Sequence, residues 1–462
     1  MAEATESMHD DPRYPWDMHS DQPHVLRDPS FKRGLYLRGA WGSIKTALTA
    51  LALPLLLPRM AAIPRTQRNA RSAAIGLCVN PVTTVPESCA VPDTALVSMV
   101  AELGVASLLI RLPLADIDNL ERYAQFAALF DKRKLVFNVL QDRRHIENAA
   151  LLEDSLRKIF LHFGDACRHF IIGNAVNRRK WAFVSLDEYF DFFHVAQRLR
   201  DREFPTLQLV GGAIIDFELP NFARALWHRH PARYDATAAL LYVDRRGAPE
   251  NRQFGCDLLA KLRWFHALVA SSKKSGGKLW VTEINWPLRG TEPWAPATGD
   301  CMVDEDEQAR FLARYFLLVL ASGKVQQCFW HQLLAPGYGL VDNRGDTLRK
   351  RKAYYAFKTL CKLFDGCTVD AFQERHDGSC QLDAHGPQGA VRALWVKNST
   401  SEPPDNAQSN AGIGMQTTAT RDEFEYSLNL CGNQCEKLSG PCVILGADVI
   451  YLLKTPSEPG NE

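Results

Sequence analysis

One pattern repeats along the chain between residues 73 and 365, where a short β-branched or aromatic run is followed by a polar residue, a loop and an amphipathic stretch. Eight runs are strand candidates, at 74–80, 105–111, 135–141, 169–174, 207–212, 239–244, 278–283 and 326–332. This alternation predicts an α/β fold, a (β/α)₈ TIM barrel. A doubly wound sheet would alternate similarly, but it usually carries a glycine-rich phosphate turn after its first strand. This chain has CVNPVTTVP there.

The regions outside the barrel differ from it in pattern. After residue 365 the periodicity changes to short alternating runs divided by Gly, Asn and Pro, which predicts a small C-terminal β domain, sandwich-like, over residues 366–462. The first thirty residues are acidic and rich in Asp, His and Pro, which is typical of a disordered lead. We expect no chemistry in that lead.

Residues 31–72 form a separate basic and apolar segment. Between residues 31 and 71 there are eight Lys or Arg and no acidic residue, around the apolar centre ALTALALPLLLP. The apolar run at 47–57 is shorter than the roughly 20 residues that cross a bilayer, so we do not expect a transmembrane helix. Two interpretations stay open: a helix packed under the barrel with solvated flanks, or a segment lying on an anionic membrane surface.

Composition narrows the partners. The formal net charge of +1 gives no general attraction to nucleic acid, so we expect no nucleic-acid partner. The twelve cysteines lack paired metal-ligand spacing, and several lie in apolar runs, which favours a reducing compartment. The opening MAEATESMHDDPRYPWD is not a secretory signal. We therefore expect a cytoplasmic protein without metal or cofactor, peripheral to the inner membrane if residues 31–71 bind it.

The ends of the predicted strands carry the candidate chemistry, because active sites of such barrels lie at the C-terminal ends of the strands. Glu283 ends the seventh strand in LWVTEINWP, with Trp286 after it. A lone carboxylate in an apolar strand is costly unless it is paired or used. Arg111 ends the second strand, and a buried ion pair with Glu283 would be a structural explanation that also keeps the carboxylate ionised.

Further phrases carry a family resemblance. The fourth strand continues as IIGNAVNRRKW and the eighth as FWHQ. With Glu283 and Arg111, these phrases resemble clan A retaining glycoside hydrolases across the whole barrel. In that clan the fourth strand carries G-N-E, whose asparagine holds the sugar 2-hydroxyl and whose glutamate is the acid/base. Asn174 matches this pattern, and Ala175 stands where the glutamate is expected.

The resemblance implies roles for single residues. Glu283 would be the nucleophile, Tyr242 its neighbour from the sixth strand, and Trp330 a sugar platform, although both aromatic residues would also suit the core. Retaining hydrolysis needs a second carboxyl group, which Ala175 lacks. Nearby loops offer substitutes, of which Asp216 is preferred; the others are Glu218, Asp244 and Glu250.

Loops after the strands provide candidate sugar contacts. Asn177 and Trp181 flank a basic trio at 178–180 that suits a phosphorylated or acidic sugar, and that equally suits a solvated helix start. The loop after the seventh strand contains Trp294 and would form a wall of a glycan cleft. Its acidic run at 304–307 is typical of a helix cap.

Two functions therefore remain open, both with an oligosaccharide or polysaccharide as partner. One is a retaining glycosidase or transglycosidase whose acid/base is missing or relocated. The other is a catalytically impaired glycan-binding pseudoenzyme, or a scaffold in surface-polysaccharide assembly. The barrel also resembles uncharacterised bacterial proteins linked to lipopolysaccharide core assembly. A third possibility is that Ala175 was engineered, because changing a fourth-strand glutamate to alanine is a way to trap a substrate. The codon in the native gene would distinguish an engineered alanine from a native one.

Overall fold

A computed structural model of the chain describes most of its residues. The described ranges are 11–81, 91–130, 133–243, 247–345, 347–397, 424–435 and 447–454. Asp244, one of the substitute acids considered above, lies outside these ranges.

The centre of the molecule is a closed barrel of eight parallel strands, so the predicted fold class is confirmed. Each strand pairs with its neighbours in the chain, and the last pairs with the first, with Cys328 opposite Ile75. In chain order the strands are Ala74–Cys78, Ser107–Pro113, Lys134–Leu140, His169–Ile172, Gln208–Ile215, Ala236–Leu240, Leu279–Val281 and Gln327–Trp330.

Closure of the barrel depends on a small residue at the seam between its first and last strands. A Cβ atom on Gly76 would lie 2.3 Å from the ring of Phe329, which is fully buried. Real Cβ atoms do not approach other atoms so closely. Glycine therefore makes room for the aromatic ring that fills the barrel beside the seam.

Helices surround the barrel and cover the strands with apolar faces. Leu186–Glu203 shows the principle, because Leu186, Tyr189, Phe193 and Ala196 recur at helical spacing and are buried. The helices are Pro29–Arg38, Ala40–Ala50, Leu57–Ala62, Asp93–Leu103, Leu120–Ala128, Arg143–Glu147, Ala149–Phe163, Leu186–Glu203, Leu219–Leu226, Leu258–Ser271, Glu305–Ser322 and Lys352–Phe364.

The acidic run after the seventh strand caps a helix, as its sequence predicts. The Asp304 side chain accepts from the backbone N–H of Glu307, and the Glu307 side chain accepts from the backbone N–H of Asp304. Such a reciprocal capping box satisfies two backbone donors that the first helical turn leaves without acceptors. This run is therefore structural rather than part of a site.

The C-terminal region forms a six-stranded antiparallel sheet, and one of its edge strands comes from the other end of the chain. Ala70–Arg71, just before the barrel, pairs with Thr368–Glu374. The order across the sheet is Tyr426–Leu428, Ile450–Lys454, Gly389–Val396, Ser379–Gly386, Thr368–Glu374 and Ala70–Arg71. A C-terminal β domain is thus present, and its sandwich-like packing stays a prediction.

The N-terminal lead differs from its prediction. Residues 1–10 lie outside the described residues, but residues 11–30 are ordered against the barrel. Trp16–Asp17 and Gln22–Pro23 pair as a short antiparallel hairpin, and Ser20 is 3% exposed. Disorder was inferred from composition, which does not register the specific contacts that this hairpin makes with the barrel mouth.

The basic and apolar segment packs on the barrel with one face and leaves the other exposed. Lys45 pairs with Asp187 at 2.9 Å, and Arg263 donates to the carbonyl of Met60. By contrast Leu51 is 76% and Leu55 81% exposed. The packed-helix interpretation therefore accounts for only one side of the segment.

The apolar part of this segment is longer than the sequence indicated. By length and composition alone, Ala40–Ala62 is the one stretch among the described residues that is helical and apolar enough to cross a membrane, with 23 residues and a mean hydropathy of 1.4 over an 18-residue window. The prediction that no helix crosses a membrane rested on the apolar run at 47–57 alone, and it did not include the helical residues on either side of that run. The stretch is interrupted by a 3₁₀ turn at Leu53–Leu56.

A buried ion pair joins the barrel to the C-terminal sheet. Glu250, which follows the sixth strand, pairs with Arg314 at 2.5 Å, and their side chains are 6% and 0% exposed. The indole N–H of Trp395 in the sheet also donates to Glu250, at 2.9 Å. Glu250 thus holds two domains together and lies away from the barrel mouth, so it does not serve as a substitute acid.

This contact yields a stability prediction. Glu250→Gln leaves the charge of Arg314 buried without its carboxylate, and breaking such a pair costs about 3–5 kcal/mol. We expect a loss of that order in the free energy of unfolding measured with urea. Glu121→Gln is the matched control, because the Glu121 side chain is 70% exposed and such pairs contribute at most ~1 kcal/mol. Equal losses in both variants would contradict the assignment.

Candidate functional site

The C-terminal ends of the barrel strands enclose a cavity of about 140 Å³. Several residues singled out in the sequence line it together, although they are far apart in the chain. The charged and aromatic lining side chains are Asp21, Arg111, Arg178, Lys180, Trp181, Asp216, Tyr242, Glu283, His331 and Tyr338. This cavity is the candidate site, and it lies where a parallel barrel places its ligands.

Glu283 lies two residues beyond the seventh strand, Leu279–Val281, and is half-buried between the buried residues Thr282 and Ile284. Its Oε1 accepts a hydrogen bond from the hydroxyl of Tyr242 at 2.5 Å. Tyr242 likewise follows the sixth strand, Ala236–Leu240. The neighbouring strand ends thus bring a carboxylate and a phenol into the contact that the sequence suggested, and the hydrogen bond fixes the orientation of the carboxylate.

Arg111 lies on the second strand and is buried beneath the cavity. Its Nη1 pairs with the Asp21 carboxylate at 2.6 Å, a partner that the sequence did not suggest. Burial by itself would lower the pKa of Arg111, but the carboxylates of Asp21 and Glu283 outweigh it and raise that pKa. Arg111 is therefore a buried positive charge that forms an ion pair with Asp21 and that also feels the negative charge of Glu283.

A polar clamp holds the turn after the fourth strand. The side chain of Gln141 accepts from the backbone N–H of Asn174 at 2.9 Å and donates to its carbonyl at 2.8 Å. Ala175 follows in the left-handed region, with φ of 45°, and is 0% exposed. Asn138 donates to Oδ1 of Asn174 at 3.2 Å, whereas the Asn174 Nδ2 is buried with no hydrogen-bond partner. An unpaired buried donor is costly, but Asn174 is not among the residues that line the cavity, so its role as a sugar contact stays a prediction.

The polar residues after this turn fasten the fifth strand. Asn177 accepts from the N–H of Ile215 at 2.9 Å and donates to its carbonyl at 3.1 Å. Arg178 pairs with Asp216 at 2.6 Å and also with Glu218. Asn177 is therefore a structural residue rather than the expected sugar contact. Asp216 lines the cavity as expected, but with its carboxylate engaged by Arg178.

The three tryptophans that were predicted to contact sugar, Trp181, Trp286 and Trp330, occupy different positions. Trp181 lines the cavity, and its ring centroid lies 5.7 Å from that of Trp16 in an edge-to-face contact. Trp286 and Trp330 are 1% and 0% exposed and stack on each other at 6.2 Å. They form the core beneath the mouth, so Trp330 presents no free face as a sugar platform. Both were expected to be sugar contacts, and the sequence alone does not distinguish such a platform from a core aromatic.

Several lining residues were missed by the sequence. His331 and Tyr338 follow the eighth strand and stack at 5.6 Å, and the Tyr338 hydroxyl accepts from Gln332 at 3.1 Å. The phrase FWHQ indicated this strand end, but its tryptophan, and not its histidine, was predicted to contact sugar. Nothing in the sequence indicated that Asp21 belongs to a site, because it lies in a lead whose composition is typical of disorder.

No group of three or more His, Cys, Asp and Glu side chains within the described ranges is arranged to hold a metal ion. The cavity is lined by carboxylates, by arginine, lysine and histidine side chains, by tyrosines and by neutral amides. Such groups bind hydroxyl-rich ligands, and a fixed carboxylate among them provides a nucleophile or a general base.

Comparison with solved structures shows what the barrel is similar to. A family 39 glycoside hydrolase from Bacteroides cellulosilyticus WH2 aligns with a TM-score of 0.60 at 13% identity, over 85% of this chain and 82% of that one. The barrel has a glycoside hydrolase-like fold. A GH39 β-xylosidase from Caulobacter crescentus aligns at 0.53 and 14% identity, over 84% and 98% of the two chains.

A GH51 arabinofuranosidase from Xanthomonas axonopodis pv. citri aligns at 0.54 and 12% identity, over 84% and 97% of the two chains. Neither a protein-family model nor a curated protein sequence matches the chain. At these identities the likeness concerns the fold. The chemistry at the mouth depends on the side chains that this chain places there.

His331 gives a prediction on pH. Burial lowers the pKa of His331, and the positive charge of Arg111 lowers it as well. The carboxylates of Glu283 and Asp21 raise it, but the net change is a lowering. Unfolded histidine takes up a proton below pH ~6.5, whereas the native state resists it. The unfolded chain then binds more protons, so the contribution of His331 to stability is complete above pH ~6.5 and is lost as pH falls.

We therefore expect the free energy of unfolding of His331→Gln to depend less on pH between 6.5 and 4.5 than that of the parent. The difference should approach 1.4 kcal/mol for each unit by which the pKa is lowered. His376→Gln, at an exposed position, controls for loss of a histidine. Parallel pH profiles for the parent and His331→Gln would contradict the prediction.

Proposed function

We propose that the protein binds an oligosaccharide or polysaccharide at the barrel mouth and that Glu283 is the nucleophile of a retaining glycosidase or transglycosidase. The observation that carries this proposal is the carboxylate of Glu283, oriented by the Tyr242 hydroxyl at 2.5 Å in a cavity shared with Trp181 and Arg111. The position suits attack on an anomeric carbon, because the carboxylate is fixed and faces the cavity.

Asn174 supports a sugar as the ligand. Its buried Nδ2 has no acceptor in the structure, and a sugar hydroxyl would supply one. In clan A glycoside hydrolases the matching asparagine holds the 2-hydroxyl, where hydrogen bonds strengthen in the transition state. The same contact would account for a polar side chain kept at 1% exposure in the turn after the fourth strand.

The acid/base is the part of the mechanism that is missing or relocated. Retaining hydrolysis uses a second carboxyl group about 5 to 5.5 Å from the nucleophile. Ala175 cannot supply it. Among described residues, Asp216 and Asp21 also line the cavity, each paired with an arginine at 2.6 Å. A nucleophile alone would still support substrates with activated leaving groups, because acid/base assistance contributes only about 10² to 10⁴-fold.

A second candidate function is a glycan-binding pseudoenzyme or a scaffold in surface-polysaccharide or lipopolysaccharide assembly. The observation that favours it is the full burial of Ala175 in a clamped turn, which leaves the acid/base position occupied by a packed methyl group. Both candidates share the glycan ligand and differ in turnover.

We further propose a location at the cytoplasmic face of the inner membrane, with the segment Ala40–Ala62 lying on the bilayer surface. Its outward leucines are exposed, and basic residues at 32, 33, 38, 45 and 59 flank them without an acidic residue. Apolar burial and attraction to anionic lipid then act together. The ion pair of Lys45 with Asp187 ties the segment along the barrel, which favours lying on the membrane over spanning it.

A substitution that restores the missing carboxylate tests the glycosidase proposal. Ala175→Glu should raise hydrolysis of unactivated glycosides by about 10² to 10⁴-fold, the usual contribution of an acid/base group. The left-handed backbone at this position already carries a side chain, so glutamate adds no new backbone strain. Activity is measured on a broad panel of natural disaccharides and aryl glycosides.

Ala175→Gln is the matched control, since it adds the same bulk without a group that can donate and retrieve a proton. The free energy of unfolding of both variants is measured first. If both fold, neither hydrolyses any sugar and the parent binds glycans, the pseudoenzyme replaces the glycosidase. If the parent is already fully active, another carboxyl group such as Asp216 is the acid/base.

A substitution in the apolar segment tests attachment to the membrane. Leu55→Ser should weaken sedimentation with vesicles of phosphatidylglycerol and phosphatidylcholine by about ten-fold or more, because a buried leucine contributes roughly 1.5–3 kcal/mol. Leu161→Ser is the control, since Leu161 is 68% exposed on a barrel helix. Equal sedimentation of parent and Leu55→Ser, or no preference for the anionic lipid, would reject membrane attachment.

A further inference from the structure

The N-terminal hairpin is shaped to present one carboxylate at its tip. Its strands pair Trp16 with Pro23 and Asp17 with Gln22. The Asp17 side chain accepts from the hydroxyl of Ser20 at 2.5 Å and from the N–H of His19 at 3.0 Å, which forms the turn. Asp21 then adopts a left-handed backbone, with φ of 51°, a conformation that aspartate tolerates better than most residues.

The tip and the second strand of the hairpin are bound to the barrel mouth by polar contacts. The Asp21 carboxylate pairs with the buried Arg111 at 2.6 Å and accepts from Gln332 at 3.3 Å. Lys180 donates to Gln22 at 2.7 Å, and Gln22 donates to the carbonyl of Pro296 at 3.1 Å. The hairpin therefore bridges the second strand and the loops after the fourth, seventh and eighth strands.

The hairpin also covers the aromatic residues that would bind sugar. Trp16 packs edge-to-face on Trp181 at 5.7 Å, and the guanidinium of Arg111 lies 5.7 Å from both rings. On the opposite wall His19 packs on Trp294 at 4.7 Å. Trp181 and Trp294 were expected to contact glycan, and side chains of the hairpin now take those contacts.

The hairpin divides the mouth into two cavities. One, of about 140 Å³, contains Glu283 and Asp216, and the other, of about 70 Å³, contains Asn80 and Leu334. Asp21 and Arg111 line both. Without the hairpin the two cavities would join into one longer cleft past Glu283, the shape that suits a chain of several sugars.

The contacts that hold the hairpin can be exchanged for ligand contacts. An isolated two-stranded hairpin is marginally stable in water, so this one depends on its docking at the mouth. Its central contact places a carboxylate on a buried guanidinium. A ligand that displaces it leaves Arg111 short of one negative charge unless the ligand brings its own, because a buried charge without its partner is costly.

We propose that the hairpin Trp16–Pro23 is a tethered occupant of the substrate cleft, and that an acidic glycan displaces it by placing a sugar carboxylate on Arg111 in the position of Asp21. The inference rests on the proposed glycan-binding function. It assigns the substrate class as glycans that contain uronic acids, and it makes the free protein self-inhibited.

The test combines hydrogen exchange of the hairpin amides with glycan binding, on the full chain. The probes are oligosaccharides of polygalacturonate, alginate and glucuronoxylan, each beside its carboxyl-reduced, uncharged counterpart. The variants are Asp21→Asn, which removes the charge at Arg111, and Gln22→Ala, which loosens the hairpin without touching Arg111. The control is Asp11→Asn, which removes an equal charge from the same segment where Asp11 pairs with Arg13.

We expect an acidic oligosaccharide to accelerate exchange of residues 16–23 in the parent and its carboxyl-reduced form to leave it unchanged. Both Asp21→Asn and Gln22→Ala should exchange faster without ligand. They should also bind the acidic oligosaccharide about ten-fold more tightly, because the fraction of binding-competent protein rises. Asp11→Asn should behave like the parent.

Three outcomes would overturn the inference. If a glycan binds the parent while the hairpin amides stay protected, the hairpin is a fixed wall and the proposed function stands. If the reduced glycans bind as well as the acidic ones, the assignment of uronic acids fails and glycan binding stands. If no glycan binds the parent or either variant with a released hairpin, both the inference and the proposed function fail.

Discussion

The buried guanidinium of Arg111 is the constraint on which the arrangement of the mouth depends. It is 5% exposed and pairs with the Asp21 carboxylate at 2.6 Å; burial lowers its pKa, and the negative charges of Asp21 and Glu283 outweigh that effect. A buried cation of this kind must be matched by nearby negative charge. The charge of Arg111 therefore accounts for the carboxylate of Asp21 that the N-terminal hairpin places against the second strand.

The barrel was predictable from the sequence because its determinants are local. Short apolar runs alternating with amphipathic stretches have few other solutions at this length, and the eight predicted strands match the observed ones to within a few residues. Glu283 was predicted by the same logic, since polar residues just beyond apolar strands lie at the mouth, whereas Tyr242 was implied by the family resemblance. Their mutual hydrogen bond follows from the adjacency of the sixth and seventh strands.

The remaining parts of the site were not predictable, for physical reasons that differ between residues. Asp21 acts through a partner 90 positions away, and no local pattern encodes such a pairing. Trp330 has the same apolar surroundings as a sugar platform, and only packing against Trp286 shows that its face is covered. Glu250 resembled a loop acid, yet its role depends on Arg314 and Trp395, which come from a helix and from another domain.

Covalent trapping tests most directly whether Glu283 is a nucleophile in a glycan site. The protein is incubated with 2-deoxy-2-fluoro glycosides that carry good leaving groups, and the mass of the intact chain and of its peptides is measured. We expect a glycosyl increment on the peptide that contains Glu283, and none in Glu283→Gln. An increment on a different residue, or none across the panel with a protein that binds glycans, would contradict it.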